Sequence, residues 1–363
     1  MEEHSFWLGF SVFPGIGPGR FTRLLNHFGS AKDAWHAPIS ELVKIEKIGP
    51  KISREFDDFR NNFSIPKYEK ELREKNVHYF ALPDENYPRL LAQAVNAPFV
   101  LFVMGDFAFD PQQTYVGVVG TRKITEYGRQ VTEMLVSDLV ASGCVIVSGL
   151  ALGVDGVAHT ATVESGGSTV AVLGCGVDCC YPRENQAIYN SILKAGGAIV
   201  SEFPPGRQPT VGSFPSRNRI IAGLSEGILV TEGAADSGAL ITAKDALENN
   251  RKVFAVPGPI TSALSKGPNQ LIERGAKLVS SAEEILSELG IRNYELGEKK
   301  KTIKGDTQDE QRVLDLLQND SLHFDEIVRK LESTPMIVGT LLSMMEMKGF
   351  IKTSQAGFFS VNN

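Results

Sequence analysis

Six short apolar runs occupy the middle of the chain, most of them ending at a glycine and each followed by a helical pattern. They are TYVGVVG (114–120), CVIVSG (144–149), STVAVLG (168–174), GAIVSEF (197–203), GILVTEG (227–233) and RKVFAVPG (251–258). The helical patterns fall near 125–142, 153–165, 183–195, 215–224, 238–249 and 268–274. Runs that stay apolar at successive positions suit strands buried on both faces, and their alternation with helices indicates a parallel sheet covered on both sides. The expected fold class is α/β, a Rossmann-like, mostly parallel sheet. Ligands of such sheets bind beyond the carboxyl ends of the strands. The residues just after each run are therefore the ones to read for chemistry.

The flanks have a different character. Residues 1 to about 60 read as short helices joined by Gly-rich turns. Pro14-Gly15-Ile16-Gly17-Pro18, followed by Arg20, and Ile45-Glu46-Lys47-Ile48-Gly49-Pro50-Lys51 resemble two hairpins of a helix-hairpin-helix unit. Hairpin amides of that motif bind DNA phosphates irrespective of sequence. The other reading is a small helical, SAM-like domain that uses the same turns for packing, and Glu41 and Glu46 dilute the second patch. Asn293 to Thr307 is polar and charged, the composition of a linker. Helical periodicity resumes near 308–318, 324–331 and 335–348, ahead of a Phe350–Val361 hairpin, the order of a winged helix. Its third helix would enter the major groove. Pro335 to Met347 holds no Lys or Arg, however, and Asp306 to Asn363 carries nine acids against five bases. Duplex reading is not expected there. Met336, Met344, Met345 and Met347 are expected mostly in the core, with any exposed part open to a protein contact. The division expected is a helical domain over 1–65, the sheet domain over 66–290, a linker over 291–306 and a winged-helix domain over 307–363.

Composition narrows the function classes. With 363 residues, 42% hydrophobic and 22% charged, the chain can bury a sizeable core and divide into two or three domains. Its 43 acids against 37 bases exclude a globally basic polymer coat and leave room for a local basic pocket. Four cysteines cannot staple a chain of this size, and a reducing cytoplasm is expected. No apolar run approaches the ~18 residues of a membrane span, and MEEHSFWLGF lacks the basic start and long apolar core of a signal peptide.

The strand-end loops carry the candidate site. Gly120-Thr121-Arg122 leads into a helix whose free N–H groups favour an anion, with Arg122 as a forked phosphate donor. A helix cap with a surface arginine is the plain alternative. Ser148-Gly149 opens SGLALGVD, in which Gly149 and Gly153 allow close backbone approach and Asp155 reads as a helix cap. His159 is expected to be packed rather than catalytic. Cys175, Cys179 and Cys180 have C-x3-C-C spacing without the paired units of structural zinc, so no metal is expected. Arg183 begins the next helix and points to the same rim as Arg122. Pro204 to Gly223 holds Arg207, Arg217 and Arg219 and no acid, with Phe214 among them. Arginines that hold phosphates and an aromatic that stacks on a base suit a single strand. The alternative puts Phe214 in the core and pairs Arg217 and Arg219 with carboxylates. Arg217-Asn218-Arg219 cannot all share one helix face, so one arginine is open to a structural role. Ser237-Gly238 opens another anion-ready helix, and Glu232 is the one strand-end carboxylate suited to act as a base, with no nucleophile–base–orienter set beside it. One phosphate would not need so many turns; a chain of phosphates would.

The ordered set GTR (120–122), SGLALGVD (148–155), YPRENQ (181–186), FPSRNRIIAGLS (214–225), TEGAADSGALITA (231–243) and PGP (257–259) resembles the DprA, or Smf, family of bacterial transformation over roughly 85–280. The resemblance implies a non-catalytic dimer that binds single-stranded DNA without sequence preference. It implies loading of the RecA recombinase onto incoming strands coated by single-strand-binding protein, with no cofactor. It makes Arg122 the phosphate anchor, Arg183 a basic position of the YP-basic-EN motif and Phe214 the base-stacking aromatic. Ser148-Gly149 and Ser237-Gly238 become small polar turns lining the pocket. Together with Gly120, Thr121, Arg207, Arg217, Asn218 and Arg219 these are the expected DNA-binding residues. A lysine common in relatives three residues before the aromatic is Val211 here, with Arg207 as its substitute from another point of the loop. The dimer surface has no motif of its own; the segment near 260–290 is the place to look. A nucleoside-monophosphate phosphoribohydrolase-like enzyme is the alternative, but TEGAADSG lacks the double glycine of its PGGxGT-type turn. A nicotinamide enzyme would need G-x-G-x-x-G after the first strand, which is not there.

Overall fold

The computed structural model describes residues 2–291, 305–317, 321–353 and 357–361. Residues 1–295 group into one compact unit and 296–363 into another. Most of the linker expected over 291–306 lies outside the described residues.

In the first unit nine strands make one sheet: β1 (Val77–Ala81), β2 (Val100–Met104), β3 (Tyr115–Val119), β4 (Val145–Ser148), β5 (Thr169–Val172), β6 (Ala198–Ser201), β7 (Gly227–Val230), β8 (Lys252–Ala255) and β9 (Lys277–Leu278). Their order is β1-β2-β6-β5-β4-β3-β7-β8-β9. From β6 across to β9 every pair is parallel, while β1–β2 and β2–β6 are antiparallel. All six apolar runs are strands. The sequence did not mark β1, β2 or β9.

The chain winds outward from β3 through β4, β5 and β6, then returns to lay β7 and β8 on the other side of β3. The reversal parts the loops after β3 and β7 and opens a crevice at the carboxyl ends of those strands. Side chains of β3 alternate between two cores. Val116 and Val118 face helices Glu126–Ala141, Val154–Glu164 and Ala282–Glu288. Tyr115 and Val119 face helices Ser213–Leu224 and Gly238–Glu248.

The helices before residue 65 share a third core with the sheet. Phe10 stacks on Phe56 at 4.9 Å, and Phe21 stacks on Phe99 at 4.2 Å. The same cluster takes in Phe102, Leu173 and Ile199 of the sheet region. The two Gly-Pro turns begin helices Pro18–Phe28 and Pro50–Asn62 with proline in the first turn, where its missing N–H costs nothing. Arg20 ties these turns together, donating from Nε to the Lys47 carbonyl at 2.8 Å and from Nη1 to the Gly15 carbonyl at 2.9 Å.

The second unit has helices Gln308–Leu316, Phe324–Lys330 and Pro335–Met347, with strands β10 (Leu322–His323), β11 (Ile351–Thr353) and β12 (Phe358–Val361) in the order β10-β12-β11. It is a winged helix. Thr307 and Glu310 form a reciprocal capping box at the first helix. The methionines depart from expectation: Met345 is buried, but Met336 is 82% and Met347 89% exposed. Among the described residues no helix is long and apolar enough to cross a membrane.

Candidate nucleic-acid interface

A cleft of about 320 Å³ lies at the crevice, lined by Gly120, Thr121, Arg122, Phe214, Arg217, Asn218, Ser237, Gly238 and Ile241 among others. Its first wall is the turn after β3. The Thr121 amide donates to the Glu232 carbonyl at 2.8 Å, which ties this turn to the one after β7. Glu232 is buried, and both its oxygens are used. Oε2 accepts from the Thr125 amide at 2.9 Å and Oε1 from the Thr125 hydroxyl at 2.7 Å. The carboxylate expected as the one possible base is thus a brace for the helix that begins at Glu126.

Gly153 completes this wall. Its φ is +78°, and a Cβ there would sit 2.2 Å from the Thr121 carbonyl oxygen. Only glycine lets SGLALGVD close on the GTR turn. Asp155 is not the helix cap, a position that Gly153 holds. Its Oδ2 accepts from the amides of Gly149 at 3.1 Å and Ala151 at 3.4 Å. Burial raises the Asp155 pKa, and the Arg217 charge is the largest opposing influence.

Arg122 is exposed, with its guanidinium carbon 5.5 Å from the centre of the Phe214 ring. An exposed cation over an aromatic ring is chemistry suited to a phosphate beside a stacked base. Across the cleft, Ser237 caps helix Gly238–Glu248, accepting from the Ala239 amide at 3.3 Å. The positive end of that helix borders the same space. Asn218 joins the walls by donating from Nδ2 to the Gly238 carbonyl at 3.4 Å.

The other expected residues have different surroundings. Arg217 is only 5% exposed and donates from Nη1 to the Gly149 and Val172 carbonyls, so it forms the cleft floor. Arg219 turns away, pairing with Glu202 and the Asn96 carbonyl. The Ser148 hydroxyl is buried and donates to the Val118 carbonyl at 2.6 Å, so it does not face the cleft. Gly149 lies beneath it, where a Cβ would meet Arg217 Nη1 at 2.0 Å. Arg183 and Arg207 are exposed but do not line the cleft, and Val211 is 91% exposed. Ile241 lines the cleft without having been singled out, because a lone aliphatic in a helix gives no signal. Tyr181, which opens the YPRENQ motif, has its ring 5.5 Å from Phe214 at 37°.

His159 is packed: Nδ1 is 2.8 Å from the Thr169 hydroxyl, and burial pushes its pKa down to about 3. Cys175 donates to the Cys179 carbonyl at 3.0 Å, its thiol pushed up to about 12 by burial. Among the described residues no group of three or more His, Cys, Asp or Glu side chains is placed to hold a metal.

Comparison with known proteins bears on the family and the fold. The family model of DNA recombination-mediator protein A matches residues 78–290, and that of the DprA winged helix domain matches residues 297–357. Protein Smf of Synechocystis is 40% identical over 311 residues, covering 85% of this chain and 78% of that protein. The X-ray structure of DNA processing protein A from Streptococcus pneumoniae superposes with a TM-score of 0.68 at 34% identity, covering 79% of this chain and 99% of that one. The Helicobacter pylori counterpart, whose structure is described for its single-stranded DNA binding mode, gives a TM-score of 0.52 at 29% identity over 60% of this chain and 98% of that one. On the match of its sheet region, its winged helix and its relatives, the chain belongs to the DNA recombination-mediator protein A family, DprA or Smf.

Proposed function

We propose that this protein binds single-stranded DNA in the switch-point cleft without reading its sequence, and that it does so without catalytic turnover. The observation that carries the reading is Arg122 lying over Phe214 beside the helix that Ser237 caps. A cation and a helix N-terminus serve phosphates, while a ring face serves any base. The single-strand binding named for the Helicobacter pylori relative supports it. Glu232, spent on Thr125, offers no free base for a phosphoribohydrolase-type reaction.

Within this reading Gly120, Thr121, Arg122, Ser237 and Gly238 hold phosphate and Phe214 stacks on a base. Arg217 and Asn218 shape the floor and wall, and Arg183 and Arg207 supply charge outside the cleft. Family membership extends the proposal: a homodimer in the cytoplasm protects incoming strands during natural transformation. It loads RecA onto strands carrying single-strand-binding protein.

Fluorescence anisotropy with a labelled single strand and the matching duplex, across a salt series, tests the core of this. Preferential single-strand binding that weakens with salt is the expected result. Equal binding of duplex, or turnover of a mononucleotide, would overturn it. RecA filament growth on coated strands, with and without the protein, tests the loading step.

A further inference from the structure

We propose a second nucleobase subsite on Tyr181, outside the cleft, served by Arg183 and Arg207. It rests on the single-strand reading above and extends the path of the strand beyond the cleft.

Phe214 meets both Arg122 and Tyr181: the guanidinium lies 5.5 Å from the Phe214 ring centre, and the Phe214 centre lies 5.5 Å from that of Tyr181. Phe214 lines the cleft and Tyr181 does not. Tyr181 is 44% exposed. A tyrosine that served only the core would be buried; this one is open to solvent beside an aromatic that lines the cleft. The angle of 37° between the rings means that bases stacked on each would turn as the strand leaves the cleft.

Two exposed arginines belong to the segments around Tyr181. Arg183 follows Tyr181 by two residues and is exposed. Arg207 is exposed on a turn docked against the segment leading into Tyr181. The Gly176 amide donates to the Arg207 carbonyl at 2.8 Å, and the Gly206 amide donates to Asp178 at 2.7 Å. Two acids stand near. Asp178 is occupied by that amide and by Lys75 at 3.5 Å, and Glu184 is exposed beside Arg183. Neither arginine lines the cleft, yet both lie on segments joined to the one that carries Tyr181. Cations on segments beside an exposed ring offer outside the cleft the chemistry that Arg122 and Phe214 offer inside it.

The test is anisotropy with labelled oligothymidylates of about 3, 6, 12 and 20 nucleotides, a range that brackets common single-strand site sizes. Wild type is compared with Tyr181→Ala, Tyr181→Phe and Phe214→Ala. Tyr181→Ala is expected to weaken the longer strands about tenfold, the loss of one stacked base, while leaving the shortest strand within about twofold. Tyr181→Phe keeps wild-type affinity at every length, and Phe214→Ala weakens every length. Photocrosslinking of an iodouracil-substituted strand, mapped by mass spectrometry, is expected to mark Tyr181. A loss in Tyr181→Ala that is equal at all lengths would make Tyr181 a prop for Phe214 and overturn the subsite. No loss at any length, with wild type binding normally, would overturn it alone. Failure of wild type to bind any strand would overturn the single-strand reading and the subsite together.

Discussion

At the scale of single residues, two arginines of one expected track do different work. Arg122 is exposed and its contact is a ring face, so Arg122→Ala is expected to leave the melting temperature nearly unchanged. The same substitution should weaken single-strand binding about tenfold and lower the salt slope by about one. Arg217 is buried beneath the cleft and holds two carbonyls, with Asp155 as its electrostatic counterpart. Removing it leaves a buried carboxylate without its cation, and Arg217→Ala should cost about 3–5 kcal/mol of stability in urea melts. Equal melting of the two variants would put Arg217 back among the solvent-facing cations. His159 supplies a pH test. The Thr169 hydroxyl donates to the Ile146 carbonyl at 2.7 Å, so it accepts from His159 Nδ1, and Nε2 is a buried lone pair without a partner. Protonation would bury an unpaired charge. The folded pKa lies near 3 against 6.5 in the free side chain, so its stabilisation is complete above pH 6.5 and is lost as the pH falls toward 3. Between pH 7.5 and 5, wild type should lose about 2 kcal/mol more than His159→Gln in urea melts. Parallel losses in the two proteins would show that another group governs that range.

Elements set what such residues can do. The turn carrying Arg122 keeps its shape because Glu232, at the end of a neighbouring strand, holds Thr125 by both amide and hydroxyl. Helix Glu126–Ala141 approaches so closely that a Cβ on Gly128 would lie 2.0 Å from Glu232 Oε2. Glu232→Ala frees two donors and should cost about 1–3 kcal/mol of stability. Its single-strand affinity should fall with it, because the phosphate turn loosens. Glu232→Gln can accept from the Thr125 amide through its oxygen and donate through its NH2 to the hydroxyl oxygen, and should retain most of both. Stable folding with lost affinity in Glu232→Gln would mean that the carboxylate charge itself acts in the cleft. The six central strands were legible because being buried on both faces demands an unbroken apolar run. VHYFA (77–81) was not legible: His78 is exposed at the sheet edge and breaks the run. The loops of the cleft were legible as glycine, serine and arginine at strand ends. Which of Arg217 and Arg219 faces inward was not. Their spacing separates them on the helix, but only the sheet order decides that Arg217 meets Gly149 while Arg219 meets Glu202. Ser148 escaped for a related reason, because its hydroxyl is claimed by the Val118 carbonyl of the next strand, and that pairing is a tertiary fact.

For the whole molecule, the two ends of the chain bear differently on its stability. The winged helix has its own core of Val313, Ile327, Val338, Leu342 and Met345 and forms a unit apart from residues 1–295. The N-terminal helices have no such independence. Their aromatic cluster runs through Phe21 and Phe99 into Phe102, Leu173 and Ile199, within the sheet's own unit. Deleting those helices strips the cover from Phe99, Val100, Phe102, Leu173 and Ile199; at about 1.5–3 kcal/mol for each large side chain, the loss is comparable to the ~5–15 kcal/mol net stability of an ordinary domain. A chain ending at residue 291 should therefore melt cooperatively and bind single strands within about twofold of the full protein. A chain beginning at residue 66 should aggregate or unfold, although every residue of the cleft is present. Size-exclusion chromatography, thermal melting and anisotropy of the two truncated chains decide the matter. Folding of the chain that lacks the first 65 residues would show that the aromatic cluster seals the N-terminal helices to one another and not to the sheet. The acidic winged helix adds a charge argument, read on a third chain that ends at residue 305 and so keeps the five bases of 292–305. Removing residues 306–363 deletes nine acids and five bases, a net of four negative charges. If its field repels the strand, affinity at low salt rises on truncation and converges with the full protein as salt screens the difference beyond ~10 Å. If the exposed methionine face instead serves a protein partner, strand binding is unmoved at every salt concentration while RecA loading falls.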